Sequence, residues 1–415
     1  MRGGKLHKMR ILVVGSGARE HAIIKALIRT GTSARNIVCA PGNPGIAKEV
    51  EIRSGIDATD RLEVVKVALE ERIDLAVIGP EAPLVAGVAD ALREQGIAVF
   101  GPSQEAAALE GSKQFAKEIM AAADIPTGMA RLCDTLKDVE EAMDLMGAPY
   151  VIKADGLAAG KGVLVTNDRI AALEHAEQYI LDGVLVEEFL AGQEVSLFFL
   201  ADGKTVVPLS PAQDYKRAFD NDEGPNTGGM GAYSPVPWIA PDFVEEVRER
   251  IAQPTVDEMR RRGTEFVGLL YCGLIVTERG IRVIEFNARF GDPETQVVLR
   301  RLSSDLADLL MRAATGRLDQ GPAAEFSPNP AVTVVLASEG YPTRPAPVRE
   351  IFGIDSAEAI DDVEVCYGGQ TGRVASVVGI GSNFQEARTL AYEGIARIQL
   401  EGSHYRSDIA LRVVS

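Results

Sequence analysis

The chain has 415 residues, 46% of them hydrophobic, and a formal net charge of −17. This length exceeds one ordinary core, so two to four domains are expected. The acidic balance argues against a nucleic-acid partner, although it leaves room for a local basic pocket. No apolar stretch is long enough for a membrane span, so no membrane partner is expected.

Cysteine usage and the start of the chain predict a cytoplasmic protein. The four cysteines show no Cys-x-x-Cys spacing, so neither a zinc site nor a disulfide framework is indicated. Residues 1–8 are followed by only a brief apolar run, which is too short for a signal peptide. Met9 is a candidate for the natural start, with residues 1–8 as an extension.

The first hundred residues alternate apolar runs with amphipathic segments, which predicts a parallel sheet covered by helices. Strands are expected at residues 11–14, 37–39, 75–78 and 98–100. Ligands of such sheets collect at the carboxyl ends of the strands, so the three loops that follow the first three strands should border one crevice. These loops are Gly15 to His21, Pro41 to Asn43 and Gly79 to Pro83.

Gly15-Ser16-Gly17 suggests a dinucleotide-binding turn, but Glu20 stands where that fingerprint needs its third glycine. An NAD-dependent oxidoreductase is therefore only a weak alternative. A helix that begins near Arg19 would still offer free backbone N–H groups to an anion.

A second glycine-rich segment runs from Lys153 to Val163, within a predicted small lid-like domain. It is not a Walker A loop, because its glycine spacing is one residue short and Gly162 follows Lys161. A glycine hairpin can still fold over phosphates, and Lys153 would add an ammonium group. The strand end near Glu187 and Leu190 could read an adenine base, and Glu194 could hold ribose hydroxyls.

Residues 210–237 are predicted to form a long functional loop, followed by a helix over residues 241–262. The basic pair Lys216-Arg217 suits a phosphate or carboxylate, and the glycines between residues 224 and 231 permit close backbone approach. From residue 331 onward the sequence is again rich in strand-forming residues.

The segment 282–294 places an acid and an amide at the end of a strand. Side chains alternate along a strand, so Glu285 and Asn287 should project from the same face. Oxygen ligands at this spacing suit Mg²⁺, with Arg289 close by, although an ordinary amphipathic strand would show the same alternation. The four histidines do not cluster and no Gly-x-Ser-x-Gly motif occurs, which argues against zinc chemistry and hydrolase triads.

Taken together, these motifs resemble the phosphoribosylamine-glycine ligase family, also called glycinamide ribonucleotide synthetases, within the ATP-grasp superfamily. The resemblance rests on Gly17 to His21, Pro41 to Asn43, Gly79 to Leu84, Leu109 to Lys113, Lys153 to Gly162, Gly224 to Tyr233 and Glu285 to Gln296. It implies an α/β and α+β multidomain fold. The expected parts are a Rossmann-like N-terminal domain (9–108), an ATP-grasp core (109–325) with a lid subdomain (about 125–190), and a strand-rich C-terminal domain (326–415).

The resemblance also implies a reaction. ATP phosphorylates the carboxylate of glycine, and the amine of 5-phosphoribosylamine displaces phosphate from the resulting acyl phosphate in de novo purine synthesis. The enzyme is expected to be a monomer or weak homodimer.

The family motifs further imply which residues bind which group. Those for ATP are Lys113, Lys153, Gly156, Gly160, Gly162, Glu187, Phe189, Leu190 and Glu194. Glu285 and Asn287 are implied to bind the metal, Mg²⁺ or Mn²⁺. The implied catalytic residues are Arg289, Lys153 and Asp214. The substrate residues are Gly17, Arg19, Glu20, Asn43, Glu81, Asp214, Lys216, Gly229, Met230, Arg289, Asp292, Pro293 and Glu294.

The chain departs from the family pattern in the shorter stretch before Val184, in the Cys366 to Gly369 run, and at Ser407, where a lysine is usual. Two alternatives from the motifs stay open at this point. One is another ATP-grasp ligase or carboxylase that uses a different acid. The other is a nucleotide-binding protein without turnover.

Overall fold

The computed structural model describes residues 9–156, 162–344 and 347–414. The predictions for residues 1–8 and for Gly160 lie outside these ranges. None of the helices in the described ranges has the length and apolar character needed to cross a membrane. All four cysteines are free and buried.

The N-terminal unit is a five-stranded parallel sheet, in the order β3-β2-β1-β4-β5. Leu12 and Val14 belong to one apolar cluster and Ile11 and Val13 to another, so β1 is buried on both faces as parallel strands are. The strands are β1 (Ile11–Gly15), β2 (Ile37–Pro41), β3 (Glu51–Ile52), β4 (Leu75–Ile78) and β5 (Ala98–Phe100). The helices are α1 (Ala18–Arg29), α2 (Arg61–Glu70), α3 (Glu81–Val85) and α4 (Val88–Glu94).

The four predicted N-terminal strands are confirmed, and the parallel sheet places their carboxyl ends on one edge. Only the two-residue edge strand β3 was not predicted, because so short a segment carries no periodic signal. After this sheet the chain forms two helices that lead into the lid, α5 (Ala108–Gly111) and α6 (Lys113–Ala122).

The lid is a four-stranded antiparallel sheet in the order β6-β9-β7-β8 with two helices and its own small apolar core. Its elements are β6 (Ala130–Cys133), α7 (Leu136–Met146), β7 (Tyr150–Ala154), β8 (Val163–Thr166), α8 (Arg169–Tyr179) and β9 (Val184–Glu187). The predicted hairpin is present, since β7 pairs antiparallel with β8.

Residues 210–237, predicted as a loop, contain four short strands. Two other strands precede them, β10 (Gln193–Asp202) and β11 (Val206–Pro208). The four are β12 (Gln213–Asp214), β13 (Arg217–Phe219), β14 (Glu223–Asn226) and β15 (Gly231–Ser234). The loop prediction was wrong here because the pairing partner of β15 lies about a hundred residues later in the chain.

The central sheet is antiparallel in the order β11-β10-β16-β17. The predicted helix over residues 241–262 is present but changes to a π-helical turn at Arg248–Ala252. The elements are α9 (Phe243–Val247), α10 (Gln253–Arg261), β16 (Val267–Thr277), β17 (Gly280–Asn287), α11 (Glu294–Arg301) and α12 (Leu306–Ala314).

The last sheet joins the C-terminal strands to β12 and β15, in the antiparallel order β12-β15-β18-β20-β19. It therefore holds strands from both sides of the predicted boundary at residue 326. Its remaining elements are β18 (Ala331–Ala337), α13 (Ile354–Glu358), β19 (Val363–Tyr367), β20 (Arg373–Ile380) and α14 (Phe384–Ile395).

Candidate active site

A cavity of about 880 Å³ lies where the N-terminal sheet, the lid and the central sheet meet. Most of the residues predicted to bind ATP, metal and substrates line it. They are Arg19, Glu81, Lys113, Lys153, Gly156, Gly162, Glu187, Phe189, Leu190, Glu194, Asp214, Lys216, Glu285, Asn287, Arg289, Asp292 and Glu294.

Glu285 and Asn287 both face this cavity from the last residues of β17. The pairing of β16 with β17 shifts register beside Gly273, and such irregularities re-aim side chains next to active sites. Burial alone would raise the pKa of Glu285, but the charges of Lys216 and Lys153 lower it below its usual range. A carboxylate held ionised beside an amide oxygen fits a hard cation that completes its shell with water and phosphate oxygens.

Lys153 and Glu187 form a buried ion pair across neighbouring lid strands. The Nζ of Lys153 lies 2.8 Å from Oε2 of Glu187, and the two side chains are 5% and 7% exposed. Lys117, one helical turn beyond Lys113 on α6, lies 3.5 Å from the other oxygen of Glu187. Lys117 also donates to Thr127 Oγ1 at 2.9 Å. The sequence offered no pattern that would have singled out Lys117, which links α6 to the lid.

Lys113 stands at the start of α6, where Ser112 caps the helix. Its backbone N–H donates to Asp155 Oδ1 at 2.6 Å, and its Nζ donates to the carbonyl of Gly156 at 2.9 Å. Burial lowers its pKa, which the carboxylate of Glu285 partly opposes. The helix start is thus tied to the first residues of the glycine hairpin.

Arg289 bridges the N-terminal and central parts of the cavity. Its Nη2 lies 2.8 Å from Glu110 Oε1, and its Nε donates to Glu81 Oε2 at 3.2 Å. Although burial works against the charge, the two carboxylates raise the pKa of Arg289 above its usual value. Burial raises the pKa of Glu110, whose other oxygen accepts the N–H of Ala288 at 2.8 Å. Glu110 received no predicted role, although it lies in one of the family motifs.

Acidic side chains cluster around Lys216 in the lining of the cavity. Lys216 Nζ donates to Glu194 Oε2 at 2.5 Å. Burial, together with Glu294 and Glu194, raises the pKa of Asp214 to about 7, against the opposing effect of Lys216. Glu194 therefore contacts a lysine, and Asp214 is a carboxyl group that can exchange a proton near neutral pH.

Asp292 is held by an arginine from the C-terminal sheet. Arg373 Nη2 donates to Asp292 Oδ2 at 3.2 Å, while its Nη1 donates to the carbonyls of Asp292 at 2.6 Å and Gly228 at 2.8 Å. Burial would raise the pKa of Asp292, but Arg373 and Arg19 lower it. Sequence reasoning missed Arg373, which lies more than eighty residues from its nearest partner in the chain.

Glu294, two residues after Asp292, is buried. Tyr271 donates its hydroxyl to Glu294 Oε1 at 2.5 Å, and Ser196 Oγ lies 2.7 Å from that hydroxyl. A side chain at Gly291 would bring a Cβ within 2.6 Å of Glu294 Oε2, so the position is closed to any larger residue. These contacts orient the carboxylate toward the cavity.

The remaining predicted substrate residues do not line the cavity. Glu20 is 1% exposed and accepts the N–H of Gly17 at 2.6 Å, and a Cβ at Gly79 would meet it at 2.1 Å. Asn43 uses its amide on the carbonyls of Ser16 and Tyr367 and on the N–H of Ile46. The six that lie outside the lining are Gly17, Glu20, Asn43, Gly229, Met230 and Pro293. Glu20 and Asn43 instead use their polar groups on the backbone of the N-terminal loops and of Tyr367.

A lid of antiparallel strands over a central antiparallel sheet, with lysines from the lid and from α6 lining one cavity with an acid–amide pair, defines an ATP-grasp enzyme. The phosphoribosylglycinamide synthetase N domain matches residues 9–110, its ATP-grasp (A) domain residues 111–295, and its C domain residues 331–412. The chain therefore belongs to the phosphoribosylglycinamide synthetase family.

Curated relatives and a solved structure agree. A phosphoribosylamine–glycine ligase from Leifsonia xyli is 57% identical, over 97% of this chain and 100% of its own length. One from Streptomyces coelicolor is 55% identical, over 97% of this chain and 99% of its own length. The crystal structure of the Thermotoga maritima phosphoribosylamine–glycine ligase has a TM-score of 0.83 at 31% identity and covers 96% of this chain and 100% of that one.

Proposed function

We propose that the protein is a phosphoribosylamine–glycine ligase, which joins glycine to 5-phosphoribosylamine with conversion of ATP to ADP and phosphate. The observation that carries the proposal is the joint placement of Glu285, Asn287, Lys153 and Arg289 around one cavity, in a chain 57% identical to a relative of that name. We further expect a cytoplasmic enzyme, monomeric or weakly dimeric.

The ATP end of the cavity is assigned to the lid and α6. Lys113 and Lys153 would neutralise phosphate oxygens, and the strand end near Glu187 and Leu190 would meet the base. Glu285 and Asn287 would hold Mg²⁺ or Mn²⁺, which neutralises phosphate charge when bound. Phosphoryl transfer needs positioning and charge neutralisation more than a protein nucleophile, and these residues provide both.

In the first step, a carboxylate oxygen of glycine attacks the γ-phosphorus of ATP, forming glycyl phosphate and releasing ADP. Arg289, whose guanidinium contacts Glu110 and Glu81, would stabilise the transferring phosphoryl group or the glycine carboxylate. Asp292 and Glu294 supply carboxylates for the glycine ammonium.

In the second step, the amine nitrogen of 5-phosphoribosylamine attacks the acyl carbon, phosphate leaves, and the nitrogen loses a proton. We assign that proton to Asp214, since its pKa of about 7 suits a base near neutral pH. The acceptor would extend past Lys216 toward Arg19 and Glu81. An acyl phosphate hydrolyses readily, so closure of the lid (about 125–190) should exclude water before chemistry.

Phosphate release from ATP tests the proposal. Release should require glycine and 5-phosphoribosylamine together, and glycinamide ribonucleotide should accumulate in equal amount. Vigorous release with bicarbonate or D-alanine in place of glycine would instead indicate another ATP-grasp ligase or carboxylase. A protein that binds ATP but releases no phosphate with any of these acids would be a binding protein.

A further inference from the structure

The 217–226 hairpin, formed by β13 and β14, borders the cavity through Arg217, Asp222 and Asn226. The hairpin forms a separate two-stranded sheet. Isolated two-stranded hairpins are marginally stable at best, so this wall of the cavity needs support from elsewhere. That support comes from residues 404–412, here called the C-terminal strap.

Arg406 is the centre of the contact between strap and hairpin. Its side chain is 0% exposed and makes a bidentate pair with Asp408, at 2.8 and 2.7 Å. Its Nη1 lies 3.0 Å from Asp222 Oδ1 and donates to the carbonyl of Arg217 at 3.1 Å. Its guanidinium also lies 4.9 Å from the ring centre of Tyr215, the residue between Asp214 and Lys216.

Neighbouring strap residues hold the tip of the hairpin. Ser407 donates its N–H to Asp220 Oδ1 at 2.7 Å and its hydroxyl to the other oxygen of that carboxylate. Asp408 accepts the N–H of Asn221 at 2.9 Å. Arg412 lies 3.1 Å from Asp222 Oδ2. Every residue of the turn at 220–222 therefore bonds to the strap.

The backbone at this contact adopts conformations that need such support. Asn221 and Asp222 have φ values of 60° and 57°, and Ala410 in the strap has a φ of 59°. An alanine rarely adopts that left-handed conformation unless its surroundings impose it. The N–H of Ala410 donates to the hydroxyl of Tyr215 at 2.9 Å, so the strained residue is fixed against the acceptor side of the cavity.

We propose that Arg406 is a positioning residue for the acceptor substrate. It acts through the 217–226 hairpin and Tyr215 to hold Asp214 and Lys216 in place for 5-phosphoribosylamine. The C-terminal strap would thereby complete the acceptor site without touching the substrate. The identity of that acceptor rests on the proposed function, whereas the anchoring of the hairpin does not.

The test uses the full chain with Arg406→Ala, Ser407→Ala and the control Arg397→Ala. Arg397 is exposed and, within the described chain, its side chain makes no hydrogen bond or ion pair. Arg406→Ala should raise the KM for 5-phosphoribosylamine and speed amide hydrogen exchange at 217–226 by about tenfold each, since charge-assisted bonds are lost. Ser407→Ala should change both in the same direction by about threefold, and the KM for ATP should stay within about twofold of wild type.

The proposal would be overturned if Arg406→Ala changed the KM for ATP as much as the KM for 5-phosphoribosylamine. It would also be overturned if amide hydrogen exchange at 217–226 stayed unchanged in a folded variant. If Arg406→Ala does not fold, Ser407→Ala decides, because it removes a single exposed hydroxyl bond. A failure of the proposed function would give a different experimental result. Wild-type protein would then show no turnover with 5-phosphoribosylamine, while hydrogen exchange would still report whether the strap anchors the hairpin.

Discussion

Arg289 Nη2 lies 2.8 Å from Glu110 Oε1. This ion pair joins the segment that follows β17 to α5 at the edge of the cavity. The same guanidinium donates to Glu81 at the start of α3. One planar cation thus connects the N-terminal unit to the end of the central sheet at the cavity that both border. The guanidinium holds Nε and Nη2 in one plane at separate positions, so each donor meets a different carboxylate.

Arg289→Lys should therefore lower turnover while the chain stays folded. A lysine keeps the charge but lacks the two separate, fixed donors that meet Glu110 and Glu81, so we expect kcat to fall about 100-fold. Steady-state kinetics and thermal unfolding measure the two effects. Arg279→Lys, at an exposed ion pair with Glu188, is the matched control and should change neither. Near-normal kcat in Arg289→Lys would show that the fork is not required.

Glu285→Ala should reduce turnover far more than stability, because the residue faces the cavity and contributes little to the core. We expect turnover to fall on the order of 100-fold or more and the free energy of unfolding to change by less than about 1 kcal/mol. Mg²⁺ titration of activity should also shift to higher concentration. Glu278→Ala, in the exposed turn before β17, is the control. An unfolded variant whose surviving fraction is fully active would make the metal assignment wrong.

Lys117→Met tests a cavity-lining residue that the sequence did not single out. Loss of its ammonium frees one oxygen of Glu187 and removes a bond to Thr127, so the lid should be held less firmly. We expect the KM for ATP to rise about fivefold, equivalent to about 1 kcal/mol. Lys137→Met, on the exposed face of the lid, should leave that KM unchanged. If both variants behave alike, Lys117 has no special role.

Asp214 should make stability depend on pH. Its pKa of about 7 in the folded chain exceeds the value of about 3.9 for an unfolded aspartate. Between these values the folded chain retains a proton that the unfolded chain has released, so this group's contribution to stability falls as pH rises from about 4 to 7.

Asp214→Asn removes that dependence. The variant should unfold at a higher temperature than wild type at about pH 8, and the difference should shrink toward zero at about pH 4. Differential scanning calorimetry across the range measures it. Asp242→Asn, which removes an exposed carboxylate before α9, is the control. A difference independent of pH would contradict the raised pKa of Asp214.

Much of the candidate site followed from local sequence pattern. The alternation of side chains along a strand is a property of the extended backbone, so Glu285 and Asn287 could be placed on one face of β17 before any fold was known. The same holds for the strands of the N-terminal sheet, whose apolar runs and terminal glycines mark them. The resemblance to the family then supplied the expected role of Lys113, which local pattern alone does not distinguish from other cations, and narrowed the expected roles of Lys153 and Arg289.

The features that only the tertiary structure decided depend on strand and side-chain partners that lie far away in the sequence. The strands within residues 210–237 form because β15 pairs with β18, and the hairpin there is held by the strap around Arg406. Likewise, Arg373 meets Asp292 only through the C-terminal sheet. Short strands and isolated charged side chains gain most of their stability from packing and pairing with other segments, not from their own composition. A single sequence does not show which remote segment supplies the partner. The chain's own residues determined the chemistry of the site, and the fold determined which distant residues hold it in place.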